Sequence, residues 1–330
     1  MKKTILSLIL AVVAVAAVHA QQISVVASNG STKLYRTLEA AIKGADPNSV
    51  IYLPGGGFPI ADSVKITKKL TIIGIGHKAK NDNVDGITTI SGNLFFNQGS
   101  SGSAVMGCYI TGTVYVGDDG NAVNDVMVKF CNIDRIYLRN SKCFGTIVNQ
   151  NYILSRVTTG NNDNNVAAEI TNNVVNHIYG IDGGIISNNV ITGASNSCLA
   201  YVSNSTVSNN IFLKVSSNYA NLSECSSNSY NGNMGWGTFS GDEDYINLSS
   251  YNKSEVFVNY SGSAVSPASD FHFKSEFKQY ENQVGIYAGD GFNDKQLAPV
   301  PYIVAKKIDE QTDAAGKLNI KIRVKASGEE

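Results

Sequence analysis

The sequence predicts an all-β fold, a parallel β-helix of about ten coils, and three observations lead to it. A six-residue phrase, V/I-x-x-N-φ-φ with φ an apolar residue, returns about every 20 residues, and apolar residues keep phase with it. In addition, 21 of the 36 asparagines lie between positions 140 and 235. A unit this short cannot bury its own apolar face, so the units must stack into one continuous core.

The copies of the phrase share a fourth residue that serves as a marker. The marker residues are Cys108, Cys131, Asn151, Asn173, Asn189, Asn210 and Asn228. Runs of Val, Ile and Tyr broken by Asn, Ser and Gly favour about three short strands per coil, joined by tight turns. Asparagines stacked at one position of successive coils can hydrogen-bond as a ladder, which explains their clustering.

The first 20 residues are predicted to be a secretory signal peptide. Lys2 and Lys3 precede an apolar run over 5–18, and small residues allow cleavage near Ala20. A membrane anchor is the alternative, but the run is short and no later segment could span a bilayer. We therefore expect residues 21–330 outside the cytoplasm, that is secreted, on the cell surface or in the periplasm.

The segment 34–46 is predicted to contain a short helix that caps the solenoid. Thr37 can cap its first turn, Leu38, Ala41 and Ile42 share an apolar face, and Gly44 favours its end. Short strands separated by a glycine-rich turn follow. We assign 21–300 to the β-helix and expect 231–262 to be either a long excursion or irregular coils.

Residues 301–330 are predicted to form a two-stranded β-ribbon. Leu318, Ile320, Ile322 and Val324 alternate with polar residues, and 302–308 is the expected partner strand. A lone ribbon is marginal in water, so it should pack on the solenoid flank or on another molecule. Self-association through 302–325, in an adhesin or assembly unit, is therefore one hypothesis for its role.

The opening of the chain resembles a known family. The stretch TLEAAIKGADPNSVIYLPGGGFPIADSVKITKKLTIIGIG is similar to the start of secreted pectate-lyase-like proteins, and the pattern continues over roughly 34–290. SPASDFHFKSEF and GIYAGDGF resemble the closing coil of β-helix proteins common in Bacteroidetes. The resemblance implies that the β-helix is right-handed, and it implies a polysaccharide lyase or glycoside hydrolase as an expectation. No catalytic residue carries over, because the catalytic phrases of those enzymes have no matching positions here.

Composition excludes one class of partner. The formal net charge is -1 and only 16% of the residues are charged. A nucleic-acid-binding protein would show a basic excess or stripe that matches phosphates.

Five cysteines leave at least one thiol unpaired, and Cys108 and Cys131 share the marker position in successive coils. They can form a disulfide or stack as reduced thiols.

The repeat places a set of basic residues on one side of successive coils. The candidate catalytic residues are Arg135, Arg156, His177 and Lys214, with Ser155 and Gly193 at intermediate positions. Such residues could lower the pKa of a base and stabilise a developing enolate, as a lyase of anionic glycans requires. The alternative is a solvated flank whose charges prevent edge contacts.

Two further sets of residues are candidates for binding. Asp118, Asp119 and Asn121 surround a glycine and would suit calcium, although a plain β-turn explains them as well and no cofactor is required. Trp236, Tyr179 and Tyr201 are candidate platforms for sugar rings, with buried packing as the alternative for Trp236.

The sequence therefore favours a secreted or surface-exposed module that binds a polysaccharide or cell-surface glycan, or that has a structural role, without catalysis. A lyase acting on a uronate-containing glycan is the alternative. His77 and His272 are each interpreted as isolated structural residues.

Overall fold

The computed structural model describes residues 22–78, 86–118, 120–140, 142–159, 166–193, 198–214, 225–237, 239, 241–262, 265–298, 301–309, 311–312 and 315–325. The predicted signal peptide lies outside these residues. The chain folds as an all-β parallel solenoid, which confirms the predicted fold class. It has about eight turns and not about ten, because the chain after residue 247 builds a hairpin and an extended segment and adds no further coils.

Two long sheets form the walls of the solenoid. Sheet 1 contains β1 (Ile23–Val26), β2 (Thr32–Tyr35), β3 (Ser49–Leu53), β5 (Leu70–Gly74), β8 (Ala104–Met106), β10 (Met127–Lys129), β12 (Thr146–Asn149), β14 (Ala168–Thr171), β16 (Ile185–Ser187), β19 (Thr206–Ser208) and β21 (Ser229–Asn231). From β3 onward its strands pair in parallel, whereas β1 pairs antiparallel with both β2 and β3.

Sheet 2 faces sheet 1 across the core. It contains β4 (Gly56–Pro59), β6 (Thr88–Ser91), β7 (Leu94–Phe96), β9 (Tyr109–Val116), β11 (Asn132–Leu138), β13 (Tyr152–Thr159), β15 (Val174–Tyr179), β17 (Val190–Ile191), β18 (Leu199–Ala200), β20 (Ile211–Phe212), β22 (Met234–Gly235) and β23 (Ile246–Asn247). The strands β22 and β23 continue the parallel pairing, so part of the segment 231–262 belongs to the coils.

The helix α1 (Leu38–Gly44) lies where the sequence predicted it. The Thr37 side chain accepts a hydrogen bond from the Ala40 amide, and Leu38, Ala41 and Ile42 are buried. The helix thereby covers the N-terminal end of the solenoid core with apolar side chains, so that end of the core is not exposed to water.

The repeated phrase marks the corner between the two sheets. Its first residue points into the core from sheet 1 and its sixth from sheet 2, as in Val148 and Ile153, which are almost fully buried. The third residue has a positive φ of 55° in Gln150 and in Asn172. Asparagine and glycine tolerate this left-handed conformation, which turns the chain sharply between the strands.

The fourth residue of the phrase builds the predicted asparagine ladder. In each rung the side-chain oxygen of one asparagine accepts hydrogen bonds from the amide and side-chain nitrogen of the preceding one. The rungs are Asn151, Asn173, Asn189, Asn210 and Asn233, all buried, and Asn233 donates in turn to the buried carboxylate of Asp242 at 2.7 Å.

The last marker predicted from the sequence is wrong. The pairing of Ile211 with Met234 places Asn233, and not Asn228, in the ladder. Asn228 belongs to a different corner, where its side chain accepts a hydrogen bond from the Ser205 amide. Both corners use the same residue chemistry, so a short pattern does not distinguish them.

The marker column begins with two stacked thiols. Cys108 and Cys131 are buried and unbridged, and the Cys131 amide donates to the first asparagine of the ladder. A hydrogen bond with Cys131, together with burial, raises the pKa of the Cys108 thiol. The pair is therefore held in the protonated form, which is poorly reactive.

The chain after the last coil packs back on the solenoid. The helix α2 (Lys253–Val256) leads into β24 (Phe257–Asn259), which pairs antiparallel with β25 (Asp270–Phe273), and a 3-10 helix (Ser275–Tyr280) follows. Phe257, Phe271 and Phe273 of this hairpin are buried in a second apolar cluster, which also includes Val190 and Ile211 of sheet 2.

Residues 284–298, which we name the strap, run back along the corner column. The Gly285 amide donates to the Asn209 carbonyl, the Asn172 side chain donates to the carbonyls of Ile286 and Ala288, and the Asn293 amide donates to the Gln150 side chain. The strap contacts successive coils in reverse order. It therefore ties coils together and does not form the closing coil that the resemblance implied.

The C-terminal ribbon is confirmed as β26 (Tyr302–Ile308) paired antiparallel with β27 (Ile320–Lys325). Every side chain of β27 is exposed, including Ile320, Ile322 and Val324 at 54–56%. The apolar face of this strand is thus not packed on the solenoid flank. Self-association through 302–325 stays a prediction.

Candidate functional site

Three of the predicted basic residues lie side by side on the outer face of sheet 2. Arg135 of β11 is in register with Arg156 of β13, which is in register with His177 of β15. Neighbouring strands are about 4.8 Å apart, so each side chain stands one strand spacing from the next. We name these three residues the basic strip.

The position of Arg156 in the strip depends on an irregularity of the backbone. Counting from the markers placed Ser155 beside Arg135 and His177. In the structure the register shifts between Ile153 and Arg156, so Arg156 occupies that place. A bulge adds one residue to a strand and redirects the side chains beyond it. The sequence-based alignment of Ser155 with the strip is therefore wrong.

Lys214 does not extend the strip. Gly193 stands next to His177, and a Cβ added to it would lie 2.7 Å from the Asn176 carbonyl oxygen. Lys214 instead lines an adjoining cavity of about 370 Å³ together with Asn176, Thr192 and Lys253. This cavity lies next to the strip, because Asn176 and His177 are consecutive residues of β15.

The strip contains two arginine guanidinium groups and one imidazole. Arg156 is exposed, and the buried Nε of Arg135 has no hydrogen-bond partner among the described residues. Within the described part of the chain neither guanidinium forms an ion pair. Burial, together with the charge of Arg156, lowers the pKa of His177. Its imidazole is therefore neutral at pH 7.

A column of tyrosines runs parallel to the basic strip. Tyr115, Tyr137, Thr158 and Tyr179 are in register across β9, β11, β13 and β15, two residues beyond the strip on each strand. The residues between the two columns, such as Ile136 and Ile178, are fully buried. Because strand side chains alternate, the tyrosines and the basic residues share the outer face.

The ring of Tyr115 contacts an aromatic ring on each side of it. The centroids of Phe95 and Tyr115 are 4.6 Å apart, and those of Tyr115 and Tyr137 are 5.6 Å apart. Tyr179 and Tyr201, each predicted as a candidate platform, are also in contact, with ring centroids 4.6 Å apart. Tyr115 and Tyr137 were missed by sequence reasoning, although their constant spacing from the strip positions was the signal.

The predicted platform Trp236 is largely buried. Its ring is 9% exposed, packs near Phe257 at 5.7 Å and carries the Lys253 ammonium 4.5 Å from its centroid. Its Nε1 donates to the Tyr251 carbonyl. Packing in the second apolar cluster thus occupies this residue, and no exposed face remains for a sugar ring.

The predicted calcium ligands form a turn. The Asp118 carboxylate accepts hydrogen bonds from the Gly120 and Asn121 amides and from the Asn121 side chain. These bonds are those of the β-turn alternative. Asp119 lies outside the described residues, and among those that are described no cluster of three His, Cys, Asp or Glu side chains suits a metal ion.

His77 and His272 are not isolated, contrary to the sequence interpretation. His272 Nδ1 is 2.7 Å from Asp270, and its Nε2 is 3.6 Å from Glu281 and 3.9 Å from Asp294. His77 is 6% exposed, and its Nε2 is 3.1 Å from the Gln296 side-chain oxygen. A sequence separation of 219 residues hid the contact between His77 and Gln296. Asp270 is only two residues from His272, and sequence reasoning missed that pair.

Acidification is expected to destabilise the fold through His77. Burial lowers the pKa of His77 to about 4, whereas the unfolded chain has a value near 6.5. Between pH 6.5 and pH 4 only the unfolded state gains this proton, so the stability fully present above pH 6.5 falls by roughly 3 kcal/mol. Urea denaturation at several pH values should show a smaller loss in His77→Gln, and an equal loss would contradict the expectation.

Comparison of the chain with protein-family models, with curated proteins and with solved structures finds no match. Among the described residues, no helix has the length and apolar character needed to cross a membrane. The structure itself establishes the fold.

Proposed function

We propose that this protein is a secreted or surface-exposed module that binds an anionic polysaccharide on the outer face of sheet 2, without catalysis. The observation that carries the proposal is the pair of parallel columns, the basic strip and the tyrosines Tyr115, Tyr137 and Tyr179. A flat, repeating surface suits a repeating polymer, because each coil presents similar groups at a constant interval.

The chemistry of the strip favours acidic sugars. Arginine guanidinium groups match the geometry of carboxylate or sulfate oxygens with paired hydrogen bonds. The described residues place no carboxylate in an ion pair with Arg135 or Arg156, so both groups are available for a ligand. The half-buried tyrosine rings beside them provide apolar faces against which sugar rings can pack.

Removing both arginines is expected to weaken polysaccharide binding by about tenfold to a hundredfold, which corresponds to about 1.4–2.8 kcal/mol. The comparison is between the wild type and Arg135→Ala/Arg156→Ala, titrated by calorimetry with polygalacturonate, alginate, a sulfated glycan and a neutral glucan. Binding should also weaken with added salt, since charges at an exposed site are screened.

The matched control for this experiment is Arg36→Ala/Arg323→Ala. Both of these arginines are exposed and neither lies on sheet 2, so the net charge changes equally while the site is preserved. Equal losses in the two double variants would point to non-specific attraction. If the wild type bound the neutral glucan and none of the acidic polymers, the result would contradict a role for the strip.

A lyase acting on the same polymer is the second candidate, and His177 is the observation that favours it. A neutral imidazole beside Arg156 can accept the proton α to a uronate carboxylate while the cation stabilises the enolate. Unsaturated ends formed by elimination absorb ultraviolet light. If the ultraviolet absorbance rises with the wild type but not with His177→Ala, the protein is a lyase. If the absorbance does not rise with the wild type, the result supports the binding module.

A further inference from the structure

A second cavity, lined by other residues than the cavity beside the strip, lies where three parts of the chain meet. Its volume is about 830 Å³. It is lined by His77 and Lys78 from the solenoid, by Asp270 from the hairpin and by Tyr287, Asp294 and Lys295 from the strap. Concave sites between chain segments with a few convergent polar groups are the usual places for small ligands.

The cavity presents hydrogen-bond acceptors that the described residues leave unused. Asp270 Oδ1 accepts from the amide and Nδ1 of His272, and Asp294 Oδ1 accepts from the Tyr287 hydroxyl. Among described residues, the second oxygen of Asp270 has no hydrogen bond, and Asp294 Oδ2 has only His272 Nε2 at 3.9 Å. Each carboxylate therefore retains an oxygen for a ligand donor.

His77 adds a third acceptor. The Gln296 side-chain nitrogen donates to the Asn293 carbonyl, so its oxygen faces His77 Nε2 and this nitrogen carries the proton. His77 Nδ1 is then an unprotonated acceptor. It is buried and makes no hydrogen bond with any other described residue. Such an atom requires an explanation in a native structure.

The same cavity also presents donors. The Lys78 ammonium donates to the Asp294 carbonyl at 2.7 Å, which uses one of its three N–H groups. Lys295 is exposed at the rim. The lining thus offers hydrogen-bond acceptors on Asp270, Asp294 and His77. It offers ammonium donors on Lys78 and Lys295. Tyr287, whose ring stacks on His272 with centroids 3.6 Å apart, forms part of the wall.

We propose that this cavity is a binding site for a free amino acid, with the ligand ammonium held by Asp270, Asp294 and His77 Nδ1 and the ligand carboxylate held by Lys78 and Lys295. An ammonium group has three donors and no acceptor, and a carboxylate has only acceptors. A small zwitterion is therefore the complement of both sets of groups at once. The site is independent of the polysaccharide proposal.

The test is calorimetric titration of the full chain with the common amino acids, with methylamine and acetate as probes that each carry one of the two charges. We expect at least one amino acid to bind at least about tenfold more tightly than either probe. Asp294→Asn, which keeps an acceptor for Tyr287, and Lys78→Met should each weaken that binding by about tenfold or more.

The matched control is Asp290→Asn, an exposed strap residue that does not line the cavity, and it should bind as the wild type does. Thermal unfolding of each variant verifies that it is folded. Three results would overturn the proposal: no binding of any amino acid at millimolar concentration, methylamine binding as tightly as the amino acid, or equal affinity in Asp294→Asn, Lys78→Met and the control.

Discussion

Asn210→Ala is expected to lower the free energy of unfolding by about 4 kcal/mol. The side chain makes four hydrogen bonds, two from Asn189 to its oxygen and two from its nitrogen to the Ile186 carbonyl and the Asn233 side chain. All of these groups are buried, and each unpaired buried group costs about 1–3 kcal/mol. The truncation thus leaves polar atoms unpaired on both neighbouring coils.

Asn231→Ala is the matched control for the ladder. Asn231 lies on an exposed edge of sheet 1 and makes no side-chain hydrogen bond with a described residue, so its replacement should change stability by no more than about 0.5 kcal/mol. Urea denaturation followed by circular dichroism measures both variants. A loss below about 1 kcal/mol for Asn210→Ala would show that the ladder is not a main source of stability.

Gly285→Ala is expected to cost about 3 kcal/mol and to loosen the strap. Its φ of +75° is unfavourable for any residue with a Cβ by about 1–2 kcal/mol. A Cβ at this position would also lie 2.3 Å from Ile211 Cδ1, in a packed apolar cluster where overpacking costs about 1–3 kcal/mol. Amides of residues 284–298 should exchange with solvent faster in the variant.

Gly291→Ala separates the two causes of that loss. It lies on the same strap with a φ of +73°, but the nearest atom to an added Cβ is the Tyr287 carbonyl oxygen at 4.0 Å. The backbone cost of about 1–2 kcal/mol applies without the clash. Equal losses in the two variants, by denaturation and by hydrogen exchange, would contradict close packing of Gly285 against Ile211.

The strap also explains why the closing residues were misinterpreted. GIYAGDGF matches a family pattern in sequence, yet its glycines allow residues 285–292 to run along the corners between the two sheets. There the Asn172 side chain donates hydrogen bonds to the carbonyls of Ile286 and Ala288. These contacts join residues 114 and 116 positions apart. A local pattern contains no information on such distant partners.

The candidate site was predictable in part. The repeat identified Arg135, Arg156 and His177 because strand stacking brings equal positions of successive coils together. It did not predict the bulge in β13 that puts Arg156 in the place of Ser155, nor that Lys214 lines an adjoining cavity instead of the strip. Bulges depend on the pairing of particular strands, and single residues do not reveal them.

The solenoid, the capping helix, the C-terminal ribbon and the asparagine ladder were all predictable from the amino-acid sequence. Each of these depends on local periodicity or on repetition between adjacent coils, which a linear pattern retains. The course of the strap, the burial of Trp236 and the cavity that brings His77 to Asp270 and Asp294 became visible only in the folded molecule. These features join segments distant in sequence, and packing rather than periodicity determines which of them meet.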